Sequence, residues 1–326
     1  MKSKAIILVK AAVTIGLIAF LASRVDLNRF LEVFQSARML PLVPALIGTF
    51  VSHLIGSWRW QIILAAFSLP VRYLKSLQLV LIGTFFNVFL PTLVGGDVLK
   101  SFYLAREKSQ PFTLILTTTF LERCIGYFAL LLVGTAASGW TGVRLFGFYL
   151  FPFFLAASTA FCLLFWTLLN PRLHGWTVGW LRRRGWTRAV ERSDAIAAGL
   201  NRLRQAKGVL GMALLASLAI QAVSVLVTWS VARSLGAHRP FELFLIFVPI
   251  ISTVTMLPLS LGGFGLRETA FYVLFTQVGI SREVSVSIGL LNYLIVVLVA
   301  LPGGLIYSLY KRDEKFDTAM TEAENA

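Results

Sequence analysis

A set of apolar runs long enough to cross a lipid bilayer constrains this chain more than any other feature. They occupy about 5–22, 42–67, 112–138, 145–169, 209–235 and 284–310. A hydrocarbon core about 30 Å thick takes roughly 20 apolar residues in helical form. In lipid, only helices and closed barrels satisfy every backbone polar group. Barrel strands alternate apolar and polar residues over about 10 positions, whereas these runs are continuous. The chain therefore reads as an all-α polytopic membrane protein. Composition agrees: 14% of the 326 residues are charged, against about 25% in soluble domains. Disordered, collagenous and disulfide-stapled classes are excluded on the same grounds.

Thirty basic residues outnumber 15 acidic ones, for a net charge of +15. Such an excess can serve nucleic-acid binding. Here the bases cluster in loops between apolar runs, as the positive-inside rule and anionic headgroups require, so no nucleic-acid partner is expected. Cys124 and Cys162 each sit within an apolar run and read as free thiols. Without a CxxC or Cys/His cluster, no metal or other cofactor is expected. Lys2, Lys4 and Lys10 precede the first run, as in a signal peptide, but Lys10 interrupts it and Phe20 stands where cleavage needs a small residue. The first run is read as a retained helix.

Between the runs lie shorter elements. Leu27, Phe30, Leu31 and Phe34 recur at helical spacing after Asp26, which predicts an N-capped interfacial helix over 26–38. Residues 170–208 hold Arg172, Arg182, Arg183, Arg184, Arg188, Arg192, Arg202, Arg204 and Lys207 against Glu191 and Asp194. Within them, Val190, Ile196, Leu200 and Leu203 fit a surface helix. This segment reads as cytoplasmic, and so do Lys2, Lys4, Lys10, Lys311, Arg312 and Lys315 at the two ends. Arg72 and Lys75 on one side of the apolar stretch 77–90, and Arg106 and Lys108 on the other, also read as inside. That stretch would span about 21 Å as a helix, too little for the core, so it is expected to enter and return as a re-entrant hairpin. Parity demands the same of 241–278 from the opposite face.

Both hairpins carry one signature. Leu90-Pro91, Gly95-Gly96 and Lys100 match Leu257-Pro258, Gly262-Gly263 and Arg267 at a constant offset of 167 positions. The expected architecture is six spanning helices plus two opposed re-entrant helical hairpins, arranged as an inverted repeat with broken helices near the midplane, a transporter plan. Residues 1–169 hold the first repeat and the start of the second, 170–208 the basic segment, 209–310 the rest of the second repeat, and 311–326 a cytoplasmic tail.

Ionisable residues within a bilayer cost about 2.5–3.5 kcal/mol each on insertion scales, and so are functional candidates by default. They are Asp97 and Lys100 after the first glycine pair, Arg267 and Glu268 after the second, Glu122 and Arg123 in the run 112–138, and His53 and Arg59 as accessory members. Asn87, Gln221 and Asn292 are uncharged companions. A half-helix starting after each break would aim its positive end at the midplane and suit an anion such as phosphate. Lys100 and Arg267 at such ends serve either that anion or buried carboxylates. Glu122 and Arg123 point about 100° apart, so they cannot share one partner. One arrangement pairs Glu122 with Lys100 or Arg267 and turns Arg123 toward a headgroup. His53 reads as a packed polar residue or a proton relay, and Trp58-Arg59-Trp60 as an interfacial anchor or a substrate contact. No phosphate-loop, HExxH or GxSxG motif is present.

Three segments in order, Asn87-Val-Phe-Leu-Pro91-Thr-Leu-Val-Gly-Gly-Asp97, Glu122-Arg123 and Leu257-Pro-Leu-Ser-Leu-Gly-Gly-Phe-Gly-Leu-Arg-Glu268, resemble the flippase-like transmembrane family. This is the membrane domain of lysylphosphatidylglycerol synthases (multiple peptide resistance factors) and its stand-alone relatives. The resemblance covers about residues 5–310. It implies a bacterial or archaeal plasma-membrane protein that handles lipids with modified or phosphate headgroups. Asn87, Asp97, Glu122, Arg123, Arg267 and Glu268 match the family's polar positions, while Lys100 stands where relatives often have Arg, losing the bidentate fork. The synthases add a soluble transferase domain that this sequence lacks after Tyr310, so lysyl transfer is not implied. The expected function is lipid transport, by flippase or scramblase action on anionic-headgroup lipids, without enzymatic activity. Two alternatives are a membrane-embedded transferase or hydrolase using Glu122, Asp97 or Glu268 as acid/base, and a non-catalytic partner of a lipid- or envelope-synthesis enzyme.

Overall fold

The computed structural model describes residues 2–90, 95–145, 147–206, 208–257 and 259–309. The expected breaks at Pro91 and Pro258, the basic Lys207, and the tail with Lys311, Arg312 and Lys315 lie outside those residues. The described chain is all-α apart from one two-stranded ladder.

The first half comprises α1 (Lys2–Arg24), α2 (Leu27–Gln35), α3 (Leu42–Ala66), α4 (Tyr73–Phe89), α5 (Gly95–Glu107) and α6 (Phe112–Thr141). Asp26 caps α2 as expected, its carboxylate accepting from the backbone N–H of Asn28 and Arg29 at 2.9 and 3.2 Å. The chain bends by 89° between α1 and α2, which lays α2 across the direction of α1. The second half comprises α7 (Leu150–Leu169), α8 (Pro171–Arg183), α9 (Thr187–Gln205), α10 (Val209–Ser234), α11 (Phe241–Met256), a 3-10 turn (Leu261–Gly263), α12 (Leu266–Gln277) and α13 (Arg282–Leu309).

Four helices, α6, α7, α10 and α13, are long and apolar enough to cross a membrane, and α1 with α2 makes a fifth if that bent pair is one span. The sequence reading expected six. The difference lies in α3, which has 25 residues, ample length, but carries His53, Ser57, Arg59 and Gln61 along its middle and end. Helices α4 and α11 are apolar but short, at 17 and 16 residues.

Two further boundaries differ from expectation. The run expected to be helical from 145 begins instead with a short antiparallel ladder, Arg144–Leu145 on Phe148–Tyr149. Gly142 stops α6 in a left-handed conformation (φ 59°), and the chain turns through Gly147 before α7 starts at Leu150. The basic segment holds two helices where one was expected. Asn170 caps α8, with Pro171 in its first turn. In α9, Val190, Leu200 and Leu203 of the expected apolar face are buried and Ile196 is half-buried, so that face packs inward.

The core has two parts. One gathers Phe154, Phe244, Phe247, Phe275 and Ile288 among α7, α11, α12 and α13. The other gathers Trp60, Ile63, Leu64, Leu104 and Leu121 among α3, α5 and α6. Helix α3 packs along α10, linking the halves. Helix α4 meets α5 and α13 by close backbone contact: a Cβ on Gly96 of α5 would overlap the Gly83 carbonyl, and one on Gly303 of α13 would overlap that of Leu81. Glycine is required at both crossings because no side chain fits between the helices. Helix α4 thus sits between α5 and α13 with almost no space to spare.

Candidate functional site

The sequence-derived polar residues gather at two centres. At the first, α3, α5, α6 and α10 converge on a chain of buried charges. The Glu122 carboxylate accepts from Lys100 Nζ at 3.0 Å through one oxygen and from Arg59 Nη2 at 3.0 Å through the other. Arg59 Nη1 donates to Ser217 Oγ at 2.7 Å. Asp97 lies 3.7 Å from Lys100 and is bound by Arg123 through Nε and Nη2. Lys100 also sits 4.5 Å above the Trp60 ring, a cation–π contact. Asp97, Lys100 and Glu122 are all under one-tenth exposed. Three cations and two carboxylates thus nearly neutralise each other, which buried charges require.

Helix periodicity explains the convergence. Asp97 and Lys100 share a face of α5 at i, i+3. Glu122 and Arg123, a residue apart on α6, serve different partners, as their angular separation demands. Of the two pairings considered for Glu122, Lys100 is realised and Arg267 is not. Arg123 takes Asp97. Arg59, expected as an interfacial anchor or a substrate contact, instead has a side chain only 12% exposed and bonded to Glu122. Trp58 is exposed, while Trp60 is fully buried against Thr118.

The second centre lies beside α12. Among the described residues, the carboxylate that Arg267 meets is that of its neighbour Glu268, with Nε donating at 3.1 Å. Its Nη2 is 3.1 Å from the same oxygen but makes no hydrogen bond there and is buried. The guanidinium stacks 4.3 Å above the Tyr293 ring. Arg267 and Tyr293 line a cavity of about 300 Å³ among α3, α10, α11, α12 and α13. Thr49, Ser52 and His53 of α3 line it, with Ser224 and Thr228 of α10 and Asn292 of α13. Hydroxyls, an imidazole, an amide and one guanidinium can hydrogen-bond an anionic or polyhydroxyl group.

At each of the two half-helix starts, expected to offer N–H groups to an anion, one N–H is engaged by a side chain of the protein. Asn87 Oδ1 accepts from the Gly96 N–H at 2.9 Å, and Glu268 Oε2 from the Gly265 N–H at 2.8 Å. Asn87 thus fastens the end of α4 to the start of α5. The two breaks also approach each other. A Cβ on Gly262 would lie 3.8 Å from the Leu90 carbonyl oxygen, and the Tyr293 hydroxyl donates to the Val88 carbonyl at 3.3 Å.

Sequence reasoning missed the hydroxyls of the cavity wall and Ser217. A signal was present. Thr49, Ser52 and His53 fall at i, i+3, i+4 on α3, and Ser217, Gln221, Ser224 and Thr228 at i, i+4, i+7, i+11 on α10. Each is a polar stripe on an otherwise apolar helix, and the two helices pack together. Among the described residues no group of three His, Cys, Asp or Glu could hold a metal ion.

Comparison with curated proteins gave no match. Residues 7–304 match the family described as lysylphosphatidylglycerol synthase TM region, so this chain, with its paired breaks and buried charges, belongs to that family.

Proposed function

We infer that this chain moves a lipid with a phosphate or otherwise modified headgroup between leaflets, as a flippase or scramblase. The polar cavity carries this reading: about 300 Å³ within a helical membrane bundle, bearing Arg267, whose one carboxylate partner is its own neighbour. A desolvated guanidinium with spare donors binds phosphate oxygens in its planar fork. The headgroup would meet Arg267 and the hydroxyl-lined walls while the acyl chains stay in lipid. The Lys100–Glu122–Asp97–Arg123 chain would act as the hinge side of the cycle, its pairs opening and re-forming.

In this reading α1, α3, α6, α7, α10 and α13 span, while α4–α5 and α11–α12 are opposed re-entrant hairpins of an inverted repeat. The packing supports it: α4 rests on α13 and α11 rests on α6, so each hairpin leans on the last helix of the other half. The membrane is the bacterial or archaeal plasma membrane, with both termini cytoplasmic by charge. An enzymatic role is disfavoured because Glu122, Asp97 and Glu268 each hold a cation.

Purified chain in liposomes should speed the exchange of fluorescent phospholipid or polyprenyl phosphate between leaflets. Exchange no faster than in empty vesicles across both lipid classes, from protein shown to be folded, would overturn the reading. Cysteine probes at positions 75, 106 and 190 labelled from one face, and at 238 and 281 from the other, would support the opposed hairpins.

A further inference from the structure

A second, larger recess lies away from the polar cavity. It holds about 890 Å³ between α6, α7 and the start of α9. Its walls are apolar: Phe120 from α6, and Phe161, Leu164 and Phe165 from α7. Its rim is basic, with Arg188 and Arg192 one turn apart on α9. Both are exposed, and among the described residues neither has an ion-pair partner. The nearby Asp194 is taken by His174 at 2.9 Å.

The surroundings place this recess at the edge of a lipid phase. Leu163, Leu164 and Trp166 of α7 are more than half exposed, as a face turned to acyl chains would be. Trp176, Trp180 and Trp186 are exposed on α8 and just before α9, with the Arg184 guanidinium 4.9 Å over the Trp180 ring. Aromatics beside arginines mark the headgroup boundary. The groove therefore runs from a hydrocarbon-facing wall to a pair of unpaired guanidinium groups, the two chemistries of one anionic phospholipid.

We propose that this groove holds an anionic phospholipid, with an acyl chain against Phe161, Leu164 and Phe165 and the phosphate between Arg188 and Arg192. The site is independent of the polar cavity and of the transport reading. Its lipid would seat the basic helices α8 and α9 on the membrane surface. The occupant is recognised by charge at the rim and by length along the wall, so phosphatidylglycerol should be held in preference to zwitterionic phosphatidylcholine.

The test is native mass spectrometry of the full chain, extracted with an equimolar mixture of phosphatidylglycerol and phosphatidylcholine. The parent chain should retain one phosphatidylglycerol preferentially. The double variant Arg188→Ala with Arg192→Ala should lower that preference by roughly tenfold, since each cation contributes at an anionic surface. Replacing both by Lys should keep most of it. Leu164→Trp, which fills the groove, should expel the lipid, and Arg267→Ala should leave it in place. An unchanged preference in the double alanine variant would overturn the proposal. So would retention in Leu164→Trp. Loss in Arg267→Ala alone would assign the retained lipid to the polar cavity and overturn the groove site.

Discussion

The two breaks share a sequence signature and differ in what surrounds it. After the first, Lys100 is enclosed by Glu122, Asp97 and the Trp60 ring, with Arg59 completing the chain. After the second, Arg267 has one carboxylate, from the adjacent residue, and borders a cavity. Glu268 must also cap Gly265. Of two cations matched at an offset of 167 positions, one is thus part of a neutralised clamp and the other an incompletely paired cation. The contrast shows that the helices packed against each matched cation decide what its charge does. Glu122 on α6 makes the difference: at the second break, the lining of the corresponding cavity offers hydroxyls and Asn292 instead of a carboxylate.

This contrast can be broken by experiment. The largest effect is expected from Glu122→Gln, which leaves Lys100 and Arg59 buried without their shared counter-charge. Breaking one partner of a buried pair costs about 3–5 kcal/mol, so thermal unfolding in detergent should shift strongly downward. An unshifted transition would mean the clamp is not structural. Next comes Gly96→Leu, which forces α5 away from the Gly83 carbonyl; overpacking of this kind costs about 1–3 kcal/mol, read by the same melt. Arg267→Ala should behave in the opposite way. Transport in liposomes should fall about tenfold, equivalent to ~1.4 kcal/mol of barrier, while the melting transition moves little. If Arg267→Ala unfolds the protein and Glu122→Gln does not, the roles assigned to the two breaks are reversed. Ser217→Ala, which removes one bond to Arg59, should give the smallest change, about 0.5–1.5 kcal/mol. It would sharpen the comparison by isolating how much of the clamp rests on its outermost member.

Much of this was legible along the chain because the signals were local. Asp26 before an amphipathic run meant a cap. The 167-position offset pointed to both breaks. What stayed hidden depended on partners distant in sequence. Arg59 between two tryptophans has the local look of an interfacial anchor; only packing against α6 and α10 turns it inward. The cavity hydroxyls were masked for a related reason. Thr49 and Thr228 bond carbonyls of their own helices, so each is at ease in an apolar helix whether or not a ligand visits. The Arg144–Tyr149 ladder was overrun by the apolar composition of the helix that follows it.

Tyr293 bears one further consequence. Its ring lies under Arg267 while its hydroxyl holds the carbonyl of Val88, the penultimate residue of α4. A single rigid phenol therefore bridges the cavity that Arg267 borders and the C-terminal end of α4. Drawing the guanidinium off that ring and freeing the Val88 carbonyl are events at two ends of one lever. Any coupling between the two contacts would be reciprocal by linkage, and it would run through a single aromatic side chain.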